Sequence, residues 1–138
     1  ILYQFFNLLP ALTLKENILL PARIAKKYDD LVMKDIVDTV GISDVLDQYP
    51  ELCSGGECQR AALCRALICR PKLILADEPT GNLDTQSRDK VCYLLRKIAT
   101  EDRVGILIAT HDHDLKKIAD YSWSLADGHF IQTNDIVT

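Results

Sequence analysis

Between Thr13 and Tyr49 the apolar residues recur at helical spacing, and Leu31, Val32, Ile36, Val37 and Val40 mark one amphipathic helix ended by Gly41. Ser43 is placed to cap a second, shorter helix, and a third is predicted from Gly55 to Cys69, closed by Pro71. The pattern then changes. Leu73 to Ala76 is a continuous apolar run without period-two alternation, as expected of a strand covered on both faces in a parallel sheet, and it ends at Asp77. A helix over Thr85–Ala99, a strand over Val104–Ala109 and a helix over His113–Ala119 follow. Tyr121–Ala126 and Phe130–Gln132 read as a hairpin about the turn signal Asp127-Gly128. Strand, helix, strand repetition implies a mostly parallel sheet. The chain therefore divides into a helical part, about residues 8–70, and an α/β part, about residues 71–138.

Two stretches within this pattern carry candidate chemistry. In Cys53-Ser54-Gly55-Gly56-Glu57-Cys58-Gln59-Arg60, Ser54 and Glu57 have the spacing of a capping box, which starts a helix with unpaired backbone N–H groups. Those donors attract phosphate, and the two glycines let an anion approach the backbone. Alone, the same residues describe an ordinary capped surface helix. The second stretch is Leu73-Ile74-Leu75-Ala76-Asp77-Glu78, where two acids sit at the carboxyl end of a strand, the end at which open α/β folds bind ligands. Adjacent strand side chains point to opposite faces, so a division of labour follows. One acid would hold Mg²⁺ while its neighbour orients or deprotonates an attacking water.

Taken together, these residues resemble an ATP-binding cassette (ABC) transporter ATPase. Gln4 resembles the glutamine of the Q-loop, Ser54-Gly55-Gly56-Glu57 the signature, and Leu73 to Asp77 the Walker B strand, with Glu78 as the catalytic glutamate. Gly81-Asn82-Leu83-Asp84 looks like the D-loop and His111 the switch histidine. The segments Gln4 to Pro10, Glu16-Asn17 and Ala76 to Asp84 are similar to the lipoprotein-releasing, macrolide-export and antimicrobial-peptide-resistance type. The chain departs from the family pattern at Cys53 and Cys58, where Leu and Gln are usual, but keeps the serine and the glycines.

The resemblance implies an α/β, P-loop NTPase-like (RecA-like) sheet with a helical subdomain carrying the signature. It implies ATP and Mg²⁺ as ligands: Asp77 and Gln4 at the metal, Glu78, His111 and Gln4 as catalytic groups, and Ser54, Gly55, Gly56, Glu57 and Asp84 contacting nucleotide across a dimer of ATPase subunits. It also implies a membrane permease as partner, touched by the loop from Phe5 to Pro10, and a cytoplasmic location at the inner face of the membrane.

A phosphate-cradling Gly-x-x-x-x-Gly-Lys-Ser/Thr string is not found in the 138 residues. With the abrupt apolar opening at Ile1-Leu2-Tyr3, this leads to the expectation that the chain is the carboxyl-terminal part of a cassette, incomplete at its amino terminus and inactive alone. A different expectation, from another functional class, is a non-catalytic interaction module that lends its signature to a partner cassette or docks a permease.

Composition narrows the field. A net charge of -4 gives no basic footprint for nucleic acid, and the longest apolar runs fall far below the roughly 20 residues that cross a bilayer. No charged-then-apolar leader opens the chain, so export is not expected. The five cysteines (Cys53, Cys58, Cys64, Cys69 and Cys92) are an odd set, and the separations along the predicted third helix scatter them around it, so they are expected to be free thiols acting as small hydrophobes. His111-Asp112-His113-Asp114 raises a metal-dependent phosphohydrolase, a class that needs more imidazoles and carboxylates than this. A chromosome-maintenance ATPase would insert long coiled coils between the glutamine and the signature, and no sustained heptads lie between Gln4 and Ser54. Arg60 and Arg65 are expected to be surface or helix-packing charges.

Overall fold

The computed structural model describes residues 1–3 and 5–133. Helix α1 (Leu14–Ile24) starts at a capping box in which the Glu16 N–H donates to Thr13 Oγ1 (3.2 Å) and the Thr13 N–H to Glu16 Oε2 (2.9 Å). Its buried Asn17 turns back on the preceding loop: Oδ1 accepts from the Leu9 N–H (2.7 Å), and Nδ2 donates to the carbonyls of Leu9, Leu12 and Thr13 (3.0 Å each). One side chain thus satisfies the backbone of a loop that has no ladder of its own.

Helix α2 (Asp30–Val40) is capped by Asp29, whose carboxylate accepts from the Leu31 N–H (2.9 Å), and it stops where Gly41 takes a left-handed φ of 71°. It buries Val32, Met33, Val37 and Val40, while Leu31 points to solvent. Ser43 is not a cap. It opens a 3-10 turn, Ser43–Val45, and its hydroxyl donates to Asp38 Oδ1 (3.0 Å), a longer-range partner than the helix start the spacing suggested.

Helix α3 (Gly55–Leu67) forms both arms of the predicted capping box: the Ser54 N–H donates to Glu57 Oε2 (2.8 Å) and the Glu57 N–H to Ser54 Oγ (3.3 Å). It packs against α1 and α2 through a buried face that includes Ala61, Ala62, Leu63 and Cys64, and this makes the helical part. The helix ends at Leu67, two residues before Cys69, and Arg70 turns the chain with a φ of 49° ahead of Pro71.

Strand β1 (Leu73–Asp77) is joined by helix α4 (Thr85–Glu101) to strand β2 (Gly105–Ala109), which lies parallel to it in the register Leu73↔Gly105 to Asp77↔Ala109. On the other side of β1, Leu2 adds a parallel bridge: its N–H donates to the Leu75 carbonyl (2.8 Å) and its carbonyl accepts from the Asp77 N–H (2.9 Å). Ile74 and Ala76 enter the same core as Val91, Leu95 and Ile98 of α4. The expectation that β1 is covered on both faces is corrected here. Leu73 and Leu75 are 56% and 40% exposed, because among the described residues only one face of the sheet carries helices.

Helix α5 (His113–Ile118) follows β2, and strands β3 (Ser122–Ala126) and β4 (His129–Thr133) pair antiparallel. Asp127 and Gly128 both take left-handed φ values, 49° and 77°, as a two-residue hairpin turn requires. Among the described residues no helix is long and apolar enough to cross a membrane.

The start of α3 also touches the start of α4. A Cβ added at Gly56 would lie 2.4 Å from Ser87 Oγ and 2.8 Å from Ser87 Cβ, so no larger residue fits without displacing α4. In urea unfolding of the complete protein, Gly56→Ala is expected to cost about 1–3 kcal/mol, and Ser87→Gly in the same chain to return most of it. Asn17→Leu, which strands the carbonyls of Leu9 and Leu12, is expected to cost about 1–3 kcal/mol in the same measurement.

Candidate functional site

Parallel pairing brings the carboxyl ends of β1 and β2 to one edge. The Glu78 N–H donates to the Ala109 carbonyl (2.9 Å), so the ladder runs one residue past the strands and sets Glu78 beside Thr110 and His111. Glu78 itself turns the chain with a φ of 44°, a left-handed conformation that costs a residue with a Cβ about 1–2 kcal/mol. The chain then closes two tight turns, Gly81 N–H to the Glu78 carbonyl (3.1 Å) and Leu83 N–H to the Thr80 carbonyl (3.2 Å).

The Glu78 carboxylate is held on both oxygens. Oε2 accepts from the Thr110 hydroxyl (2.9 Å), while Oε1 accepts from the His111 N–H (3.0 Å) and lies 2.7 Å from His111 Nδ1. An ionised carboxylate only accepts, so the proton of this last contact belongs on Nδ1. The His111 side chain is 84% exposed and the Glu78 side chain 19%. Burial opposes ionisation of Glu78, but the hydrogen bonds from the His111 ring, the Thr110 hydroxyl and the His111 N–H together outweigh it and hold the carboxyl below its ordinary value.

Behind this pair sits a second carboxylate that the sequence did not single out. Asp112 accepts from the Thr80 hydroxyl through Oδ2 (2.8 Å), caps α5 by accepting the Asp114 N–H through Oδ1 (2.9 Å), and lies 3.6 Å from Arg88 Nε. Its own N–H donates to Thr110 Oγ1 (3.0 Å), the hydroxyl that reaches Glu78. Burial raises its carboxyl, and the Asp114 N–H, the Thr80 hydroxyl and the Arg88 charge bring it below the ordinary range. Thr110 and Asp112 flank His111 in sequence and Thr80 lies two residues after Glu78, which was the available signal. Their partners, however, lie 32 residues away.

Asp77 is exposed at the strand tip, next to Glu78 and across from Ala109. Ser54, Gly55, Gly56 and Glu57 lie at the start of α3, where Gly55 approaches Asn82 and Leu83 and Gly56 approaches Ser87. Asp84 caps α4 there, accepting the Ser87 N–H (3.0 Å), a hydrogen bond that holds its carboxyl below the ordinary value. The structure thus forms two groups, Asp77 with Glu78 and His111 at the strand tips, and Ser54 to Glu57 with Asp84 at two adjoining helix starts. Gln59 connects them, its Nε2 donating to the Pro79 carbonyl (2.6 Å). Gln4 lies outside the described residues.

Other expectations are adjusted by their surroundings. Arg65 is no plain surface charge: its guanidinium donates to the carbonyls of Asn7 (2.5 Å) and Phe6 (2.7 Å) and fixes the loop that follows residue 4. Phe5 and Leu9 of that loop are exposed, whereas Phe6 and Leu8 pack against the core. His113 is exposed, and Asp114 pairs with Lys117 (2.7 Å). All five cysteines are free, with Cys58, Cys64 and Cys92 buried. Burial pushes the Cys58 thiol up to about 11, and its Sγ donates to the Pro50 carbonyl (3.4 Å), so it fills the helix start without disturbing the capping box. Among the described residues no three His, Cys, Asp or Glu side chains converge on a common metal position.

Residues 1–81 match the family model described as ABC transporter. The chain is 44% identical over 130 residues to the lipoprotein-releasing system ATP-binding protein LolD of Shewanella frigidimarina, a match that takes in 92% of this chain and 54% of that protein. It is 40% identical over 137 residues to the corresponding LolD 2 of Rhodopirellula baltica, taking in 93% of this chain and 54% of that one. Among solved structures, the dimeric structure of MJ0796, a bacterial ABC transporter cassette, superposes with a TM-score of 0.78 at 33% identity, over 92% of this chain and 58% of that one. The fold is therefore the P-loop NTPase-like core with a helical subdomain.

The same comparisons correct one expectation. The family model falls on the amino-terminal side of this chain, and the chain spans about half the length of the curated relatives it matches. They support membership and a shared span, and they contradict the expectation of a carboxyl-terminal, inactive piece. With residues 1–81 of 138 inside the family model and the fold shared with a solved cassette, the protein belongs to the ABC transporter family.

Proposed function

We propose that this chain serves ATP binding and hydrolysis in an ABC transporter, with Glu78 as the group that orients and deprotonates the attacking water. The observation that carries this reading is the Glu78 carboxylate, kept ionised at a strand tip and aimed by Thr110 and His111. A base must be ionised and positioned before it can act, and both conditions are met by residues of this chain. His111, with its ring largely in solvent, senses the terminal phosphate and holds Glu78 until nucleotide arrives. Gln4 is assigned to the metal and the attacking water by its resemblance to the Q-loop glutamine alone.

Asp77 fits Mg²⁺. It offers exposed carboxylate oxygens beside Glu78, and Mg²⁺ takes one or two carboxylates, with waters and phosphates completing its shell. When bound, that ion neutralises charge on the phosphates. The start of α3 suits an anion at Gly55, which is exposed and whose N–H, one of the first of the helix, has no partner within it, while Gly56 is buried against Ser87 and the Ser54 N–H and hydroxyl are engaged by Glu57 until nucleotide takes its place. Glu57 keeps that helix start formed. These residues, with Asp84, face the nucleotide of a second ATPase subunit in a homodimer, and the loop from Phe5 to Pro10 faces a membrane permease at the inner side of the membrane. Similarity to lipoprotein-releasing ATP-binding proteins supports export or release of a lipoprotein, peptide or macrolide as the transport task.

In the complete protein, Glu78→Gln is expected to lower ATP turnover by at least about 100-fold while nucleotide titration shows affinity within a few-fold of the parent. Undiminished phosphate release by that variant would remove Glu78 from the reaction. Asp77→Asn is expected to raise the Mg²⁺ concentration for half-maximal activity by about 10-fold or more; an unchanged Mg²⁺ curve would place the ion elsewhere.

A further inference from the structure

Three polar side chains among the described residues are buried: Asn17, Gln59 and Thr80. Burying a polar group costs free energy unless it is hydrogen-bonded, so each asks for a reason. Asn17 is accounted for by its loop. Gln59 and Thr80 are not, and they act on consecutive residues: Gln59 holds the carbonyl of Pro79, and the next residue, Thr80, donates into Asp112. Pro79 follows Glu78 directly, so the peptide units behind the Glu78 side chain are gripped from α3 on one side and from the 110–112 loop on the other. Asp112 closes the circuit through its N–H to Thr110, whose hydroxyl reaches Glu78.

We propose that the buried Gln59 and Thr80, with the partly buried Asp112, form a polar relay that positions the Glu78 carboxylate and ties it to the start of α3. The relay rests on the reading of Glu78 as the base. Packing alone would not select these residues, because an apolar pair of the same shape does as well at a buried position. Gln59 in particular leaves its Oε1 buried without a partner, a cost that a leucine would not carry. What its amide supplies is a directional hold on the Pro79 carbonyl, so a shift of α3, whose first turn is proposed to meet nucleotide, is delivered to the residue beside Glu78. Gln59, Thr80 and Asp112 act through Glu78 and the residues beside it, by the contacts of Gln59 with Pro79, of Thr80 with Asp112 and of Asp112 with Thr110. They are positioning residues.

The test uses the complete protein and steady-state ATP hydrolysis. Thr80→Val, which keeps the shape and removes the hydroxyl, is expected to lower kcat by about 10- to 100-fold with KM for ATP changed less than about twofold, as misplacement of a reacting group does. Thr80→Ser, which keeps the hydroxyl and loses a buried methyl, is expected to restore kcat to within about threefold of the parent. A merely structural Thr80 gives the reverse order: serine melts lower than valine, and kcat moves in neither. Gln59→Leu carries the test if Thr80→Val does not fold, and is expected to show the same loss of kcat at unchanged KM. Parental kcat in Thr80→Val and Gln59→Leu beside an inactive Glu78→Gln overturns the relay alone. Full turnover in Glu78→Gln overturns the catalytic reading on which it rests.

Discussion

The hydrogen bond from the Glu78 N–H to the Ala109 carbonyl carries the parallel register of β1 and β2 one step beyond the strands, and the site follows from it. Parallel strands finish at the same edge, so the residues after each finish side by side, 32 positions apart in sequence. An antiparallel pair would send them to opposite ends. Once Glu78 is fixed to Ala109, the turn through Pro79 to Leu83 delivers Asp84 to the first turn of α4, and the 110–112 loop delivers Thr110 and His111 to the carboxylate. The left-handed backbone at Glu78 is tolerated because the ladder, the turn and three hydrogen bonds to its side chain all hold it there.

The same economy governs the helical part. Helix α3 begins at a box closed by Ser54 and Glu57, packs its small residues against α1, and ends at Leu67, after which a left-handed Arg70 turns the chain towards β1. Glu57 is held below its ordinary value by the Ser54 hydroxyl and N–H, as Glu78 and Asp112 are by their own donors. A carboxylate lowered by folding stabilises the folded state above its unfolded pKa, and that contribution disappears as pH falls through the lowered one. Acid therefore loosens the α3 start and the strand tips through the same chemistry, and these are the two places the functional reading uses.

Local signals were legible in the sequence and distant ones were not. The limits of β1, the Ser54-Glu57 box, the stop at Gly41 and the Asp127-Gly128 hairpin each depend on a few neighbouring residues, and each was found where the pattern placed it. Ser43 was misread because its hydroxyl answers to Asp38 rather than to its own turn. Coverage of β1 was misread because an apolar run reports that a strand prefers burial, not that both faces receive it. Of the candidate site, Glu78 and His111 were legible as a strand-end acid and a strand-end histidine, and the structure brings the two side chains together. Thr80, Thr110, Asp112 and Gln59 were not, since a threonine or a glutamine shows its use only when its partner, 20 or 32 residues away, is in place.

The central claim is that the 110–112 loop holds the Glu78 carboxylate ionised at the strand tip before any nucleotide binds. Carboxyl-carbon NMR of Glu78 during an acid titration of the nucleotide-free protein tests it directly. The account predicts a midpoint below the ordinary glutamate value of about 4.3, moving upward in a His111→Ala variant that removes the ring donor. A midpoint at or above that value, or one indifferent to His111, would contradict it.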